Sequence, residues 1–165
     1  VGKDVLEYNS ETMKKFFGYY ILPMLFKIQK ASWFFTRPRT HGSKTVLTHK
    51  GKVLLVRHTY GRARWTFPGG GIKRKEDPKD AAKREAMEEV NINTPNLIFV
   101  GDFYVQDGYK HVHLNVFTQE VESDYFKKDD IEIKEAKWFD SESVPELGPN
   151  ATKVYQTYKQ WKTSS

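Results

Sequence analysis

The chain has 165 residues, 38% hydrophobic and 29% charged, the size and make-up of one folded domain around a single core. It contains no cysteine, which excludes disulfide frameworks, thiolate zinc sites, iron–sulfur clusters and cysteine nucleophiles, and fits a reducing, cytoplasmic setting. The net charge of +6 is unevenly spread: residues 1–75 carry 16 Lys and Arg against 3 Asp and Glu, whereas residues 76–165 carry 11 against 18, so the first part suits an anionic partner and the second a cation.

The chain opens on an apolar, aromatic stretch. Residues 10–35 predict one or two helices, because Phe17, Tyr20, Met24, Ile28, Ala31 and Phe35 recur at spacings of three and four, with Pro23 kinking the run or starting a second helix. Gly18, Pro23, Lys27, Gln29 and Lys30 interrupt Phe16–Phe35, so no membrane span is expected, and no small-residue cleavage site follows as in a signal peptide. The other face is also aromatic, which suits a cover for the main body, a homodimer contact or a membrane surface. RPRTHG, residues 37–42, reads as a linker, dividing the chain into a helical extension with linker, 1–42, and a main domain, 43–165.

A β-rich body follows. Thr45–Thr48 and Lys52–His58 flank Lys50-Gly51, a hairpin signal, and Trp65–Phe67 is a short extended piece ended by Pro68 and three glycines. Leu97–Val105 and Lys110–Val121 flank a second hairpin at Asp107-Gly108, and His111, His113 and Asn115 share one face of the latter strand. Ala136–Phe139 is a last strand. Asn150 is placed to cap a final helix with the stripe Ala151, Val154, Tyr155, Tyr158 and Trp161.

Between these strands lies one helix, with Asp77 as N-cap, Pro78 as first helical residue, and Asn91 as a left-handed stop after Val90. Ala82, Ala86, Met87 and Val90 fall on one side of it, and Glu85, Glu88 and Glu89 within roughly a 100° arc on another. Carboxylates at such spacings repel by a few tenths of a kcal/mol per pair and sit at the end of the helix dipole that disfavours anions. A divalent cation reverses the sign of both effects, and hard carboxylate oxygens favour Mg²⁺ or Mn²⁺. The glycines of FPGGGI can approach an ion or phosphate closely, and the Gly70 carbonyl is a candidate further oxygen ligand.

The run Gly70–Ile92, GGIKRKEDPKDAAKREAMEEVNI, closely resembles the Nudix box. Gly70, Glu76, Arg84, Glu85, Glu88, Glu89 and Ile92 match as they stand; Ala86 is smaller than the usual aliphatic residue and Asn91 replaces a glycine. Residues Arg37–Gly71 look like a bacterial Nudix subgroup with a short aromatic-rich N-terminal helix, and EIKEAKWF resembles the strand after the family's variable loop. The implied fold is an α+β Nudix α/β/α sandwich: a mixed sheet between helices, a loop–helix–loop catalytic motif, and here an N-terminal helical extension.

The resemblance implies Mg²⁺- or Mn²⁺-dependent hydrolysis of a phosphoanhydride bond in a nucleoside diphosphate linked to another moiety. By position, Glu85, Glu88 and Glu89 would bind metal with the Gly70 carbonyl, Arg84 and Glu76 would pair, and Glu88 or Glu89 would accept a proton from water. An acid outside the box serves in other members; Glu120 and Glu122, at the end of a strand, lead over Asp124, Asp129, Asp130 and Glu132. Arg57, Arg62, Arg64, Lys73 and Arg74 supply cations for a small anionic nucleotide, Trp65 or Phe67 an aromatic ring for a base, and His113 a cleft-lining imidazole. Two other readings stand beside hydrolysis of a small nucleotide: a nucleotide-sensing module that does not cleave, suggested by Asn91 and Ala86, and an RNA 5′-end pyrophosphohydrolase, suggested by the basic first half. No RNA-binding motif accompanies the latter.

Overall fold

The computed structural model describes residues 39–60, 64–107 and 110–164. The expected helices of residues 10–35, with the homodimer contact drawn from them, and Arg62 lie outside these residues. Five strands form one mixed sheet: β1 (Arg39–His49), β2 (Lys52–His58), β3 (Ile98–Asp107), β4 (Lys110–Glu120) and β5 (Ile133–Asp140), in the spatial order β3-β4-β1-β2-β5. The β1–β4 pair is parallel, from Arg39 beside His111 to Thr48 beside Glu120; the other pairs are antiparallel. The linker reading of residues 37–42 is therefore corrected over Arg39–Gly42, which belong to β1: the backbone pairing with β4 overrides the turn-forming Gly42. Lys50 and Gly51 make the β1–β2 turn with φ of 45° and 79°, the left-handed pair that a two-residue hairpin needs.

Helix α1 (Pro78–Val90) and helix α2 (Pro149–Ser164) cover opposite faces of the sheet. Leu47, Leu54, Val56 and Ile133 pack with Val90 and Ile92 at the end of α1, and Phe117 packs against Ala82. On the other face Val46, Val53, Leu55, Trp65, Phe67 and Val116 meet Ala151, Val154, Tyr155 and Tyr158 of α2. Burying one such large side chain is worth about 1.5–3 kcal/mol, against a few tenths for a good helix propensity, so packing holds these helices. Helix α2 begins at Pro149, one residue before the expected cap: proline suits a first turn, where its missing N–H costs nothing.

Two features position the site. Strands β1 and β2 pair only near their shared turn and then part, and the segment after Trp65 runs between them. Thr66 exchanges two backbone hydrogen bonds with Val56 of β2, and further along Pro68 O and Gly70 O accept from Thr45 and Ser43 of β1. The glycines are thereby fixed along β1. The second feature is the stretch between β4 and β5, which wraps the end of α1: Lys127 and Asp129 donate to the carbonyls of Val90 and Glu89, groups a helix end leaves unpaired.

Candidate active site

Helix α1 is capped as its sequence demands. The Asp77 side chain accepts from Lys79 N at 2.8 Å, and Asn91 closes the helix at φ 54°, ψ 39°. Ala81, Ala82 and Ala86 are fully buried, and their small size brings the helix close to the sheet. This directs Glu85 and Glu89 onto the glycine segment. Gly69 N–H donates to Glu89 Oε2 at 2.9 Å, and a Cβ on Gly70 would stand 2.7 Å from the Glu85 carboxylate. Gly69 adopts φ +133°, where a Cβ would fall 2.2 Å from Ser43 O, so neither position has room for a side chain.

Arg84 ties the loop before α1 to the helix. It meets Glu76 through two hydrogen bonds, donates through Nη1 to Glu85 at 2.6 Å and Glu88 at 3.0 Å, and through Nη2 to Gly71 O at 3.0 Å. Glu76 also accepts from Lys73 N, and these bonds to Arg84 and then to Lys73 hold its carboxyl down at about 2. Arg84 is raised in turn by its carboxylate partners, Glu76 first.

Glu89 is the buried member of the cluster. Burial pushes its carboxyl up to about 7; Lys44 and the Gly69 N–H pull down, and Glu85 and Glu132 push up. His58 stands 3.8 Å from Glu89, and burial followed by the Lys44 charge lowers it to about 3, so it is neutral at neutral pH. Lys44 donates to the carbonyls of Phe67 and Gly69. Tyr60 has its hydroxyl raised by burial and then by Glu132, Glu89 and Glu85. Glu132 is raised by burial and by Asp129, Glu85 and Glu88. Glu85, Glu88, Glu89, Glu132 and Tyr60 thus act on one another through one field.

The donor chemistry fits a hard divalent cation: several carboxylates crowd together, and the carboxyl of Glu89 is pushed up by burial and by the neighbouring acids Glu85 and Glu132. The Gly70 carbonyl accepts from Ser43 N at 3.0 Å and keeps a second lone pair. Among the described residues, no three Asp, Glu or His side chains stand at the spacing a single ion requires; Arg84 draws Glu85 and Glu88 to itself.

Other expected residues fall elsewhere. Trp65, expected to stack a base, is a correction: it is 5% exposed, with Phe139 edge-on at 4.8 Å and the Arg57 guanidinium 4.4 Å from its ring centre, so protein already occupies its surfaces. Phe67 is fully buried against Tyr155. Arg57 also pairs with Glu135 at 3.3 Å; Arg64, Lys73 and Arg74 are exposed. The preference for Glu120 and Glu122 as the outside acid is also corrected. Glu120 acts on Tyr158 of α2, the opposite face, because alternate residues of β4 point to opposite sides; Glu122 is exposed. Glu132, also among the candidates, shares a field with Glu85 and Glu88. Its signal was the strand start Glu132–Phe139, which sets it beside the end of β2. Lys44, His58 and Tyr60 were missed; a lysine between Ser43 and Thr45 in a strand was the clue to the first. His113 lies apart from the carboxylates and bonds Asp102 at 2.6 Å.

A NUDIX domain model matches residues 39–160. An RNA pyrophosphohydrolase from Bartonella bacilliformis is 39% identical over 71 residues, 38% of this chain and 42% of that protein. Diphosphoinositol polyphosphate phosphohydrolase 2 from Rattus norvegicus is 32% identical over 110 residues, 66% of this chain and 56% of its own length. The chain thus spans about half the length of these curated relatives. The crystal structure of a MutT NUDIX hydrolase from Burkholderia pseudomallei shares the fold, with a TM-score of 0.66 and 18% identity, over 72% of this chain and 97% of that one.

Proposed function

This chain belongs to the Nudix family, and we propose that it is a pyrophosphohydrolase that cleaves a phosphoanhydride bond in a nucleoside diphosphate linked to a second moiety, with Mg²⁺ or Mn²⁺ as cofactor. The supporting observation is the convergence of Glu85 and Glu89 on the Gly69–Gly70 backbone, with Glu89 raised to about 7 and Glu132 acting on both carboxylates. Glu85, Glu88, Glu89 and the Gly70 carbonyl would hold the cation. When bound, it supplies charge neutralisation at phosphate and lowers the pKa of an attacking water.

The remaining steps rest on side chains. Water attacks a phosphorus, the anhydride P–O bond breaks, and the bridging oxygen leaves with one phosphate product. Glu132, outside the helix and raised by burial and by neighbouring carboxylates, takes the proton of the attacking water. Arg84 and Glu76 keep the loop before α1 in register with the glycine segment. Cysteine-free composition supports a cytoplasmic setting. No helix among the described residues is long and apolar enough to cross a membrane.

The test is a hydrolysis screen with Mg²⁺ and Mn²⁺ over ADP-ribose, nucleoside triphosphates, nucleotide sugars and dinucleoside polyphosphates, with a chelator control. Cation-dependent release of phosphate or nucleoside monophosphate supports the reading; no turnover of any class removes it, and tight binding without turnover favours a sensing module. RNA 5′ ends are a second substrate class, supported by the 16 basic residues of the first 75 and by the Bartonella relative. Binding of triphosphorylated RNA that weakens steeply with salt would favour that reading.

A further inference from the structure

Strand β1 carries a lysine within the sheet. Lys44 is half-buried and leaves β1 on the side of Val46, two residues on, which packs toward α2. Its ammonium nevertheless ends at the glycine segment. That segment turns the carbonyls of Pro68 and Gly70 to Thr45 and Ser43 of β1. Carbonyls alternate along extended chain, so those of Phe67 and Gly69 point the other way, into the gap where β1 and β2 part. Lys44 Nζ donates to both of them, to Phe67 O at 3.0 Å.

Gly69 is thereby gripped at both ends. Its carbonyl accepts from Lys44, and its N–H donates to Glu89 Oε2 at 2.9 Å. A single glycine thus links a buried carboxylate to an ammonium, and it is the glycine held at φ +133°. Burial raises Glu89, and the charge of Lys44 leads the influences that lower it; His58 is lowered by burial and next by the same charge.

We propose that Lys44 is the resident counter-charge of Glu89: a positioning residue that holds Gly69 and Glu89 together while no cation is bound and that, by repulsion, weakens the cation's binding. The inference rests on the reading of Glu85, Glu88 and Glu89 as cation ligands and adds what limits their grip. A buried carboxylate is costly without a partner of opposite sign, and Lys44 offsets that cost in the metal-free protein. Coulomb energy scales with the product of the charges, so Lys44 opposes a divalent ion twice as strongly as a monovalent one at the same place. A lysine that only braced the bend would act in the opposite sense. Its removal would misalign Glu89 and the Gly70 carbonyl and loosen the cation.

Mn²⁺ titration of the metal-stripped full chain, followed by the electron paramagnetic resonance of the free ion, tests this without substrate. Lys44→Gln keeps a donor for the carbonyls but no charge, and Lys44→Met keeps neither. Both are expected to bind Mn²⁺ about 10-fold more tightly than the unaltered chain. Lys44→Arg, which keeps the charge, should stay within about 3-fold. Lys52→Gln makes the same change of charge at the opposite end of β2 from His58 and should leave the affinity unaltered. Thermal melts identify the folded variants, and Lys44→Gln carries the comparison if Lys44→Met does not fold. Binding by folded Lys44→Gln that is equal to or weaker than that of the unaltered chain overturns the proposal. So does a gain of the same size in Lys52→Gln or Lys44→Arg. A barren hydrolysis screen counts against the reaction, whereas these affinities count for or against Lys44.

Discussion

Arg84 and Glu76 meet in a two-pronged ion pair, Nε to Oε1 at 2.7 Å and Nη2 to Oε2 at 3.0 Å, across the turn that joins the glycine segment to α1. The planar guanidinium alone can hold this carboxylate while also reaching Glu85, Glu88 and Gly71 O. Arg84→Lys keeps the charge but not the fork. It should lower kcat/KM about 10- to 100-fold and speed proteolysis in the turn before α1, read by limited digestion and mass spectrometry. A wild-type digestion pattern and rate would show that the fork is dispensable.

Glu89 gives a test in which stability and activity move in opposite directions. Its folded carboxyl titrates near 7 against an ordinary 4.5, so the fold holds a proton that the unfolded chain has released between those values. Without metal, this contribution to stability falls as pH rises from 4.5 to 7. Glu89→Gln removes the buried charge and should raise stability in EDTA at pH 8 by on the order of 2 kcal/mol, the gain vanishing near pH 4. With Mg²⁺ the same variant should lose at least about 100-fold in kcat. Urea melts across pH and steady-state kinetics check both halves.

His58 supplies the opposite limb of that profile. It stays neutral in the fold down to about 3, whereas an exposed histidine takes a proton near 6.5. Its contribution is therefore lost as pH falls from 6.5 toward 3, and between 4.5 and 6.5 it opposes the Glu89 trend. His58→Gln should flatten the acid limb of the EDTA stability curve. An acid limb as steep as that of the unaltered chain would contradict the burial argument.

Glu132 and Glu120 were both candidates for the acid outside the box, and only Glu132 shares a field with Glu85 and Glu88. Glu132→Gln should lower kcat roughly 100-fold or more with KM little altered, and far more than Glu120→Gln does. Comparable losses in the two variants would remove Glu132 from its proposed role.

Gly69 is the least replaceable backbone position of the site. Gly69→Ala would set a methyl 2.2 Å from Ser43 O at φ +133° and break the alignment that gives Glu89 its N–H donor. A loss of about 2–4 kcal/mol is expected by chemical denaturation. Gly71→Ala, where a Cβ meets nothing within 4 Å, should cost far less.

Local signals were read correctly where the chemistry is local. Asp77, Pro78 and Asn91 bound α1 as expected, and Lys50-Gly51 turns β1 into β2, because caps and left-handed turns depend on residues a few positions apart. Arg39–Gly42 was misread because its strand character comes from a partner more than seventy residues away. Trp65 and Phe67 offered both a core and a base-stacking reading, since an aromatic beside a Pro-Gly turn suits either, and their burial in the structure decides for the core.

The sequence by itself determined the family, the acidic helix and the glycine segment facing it, since these follow from residue identity at fixed spacing along one continuous stretch. The tertiary structure alone decided which acid outside that stretch joins the cluster, and that Lys44, His58 and Tyr60 stand around Glu89. Those neighbours come from separate strands, and strand order and register, set by long-range backbone pairing and core burial, bring them together.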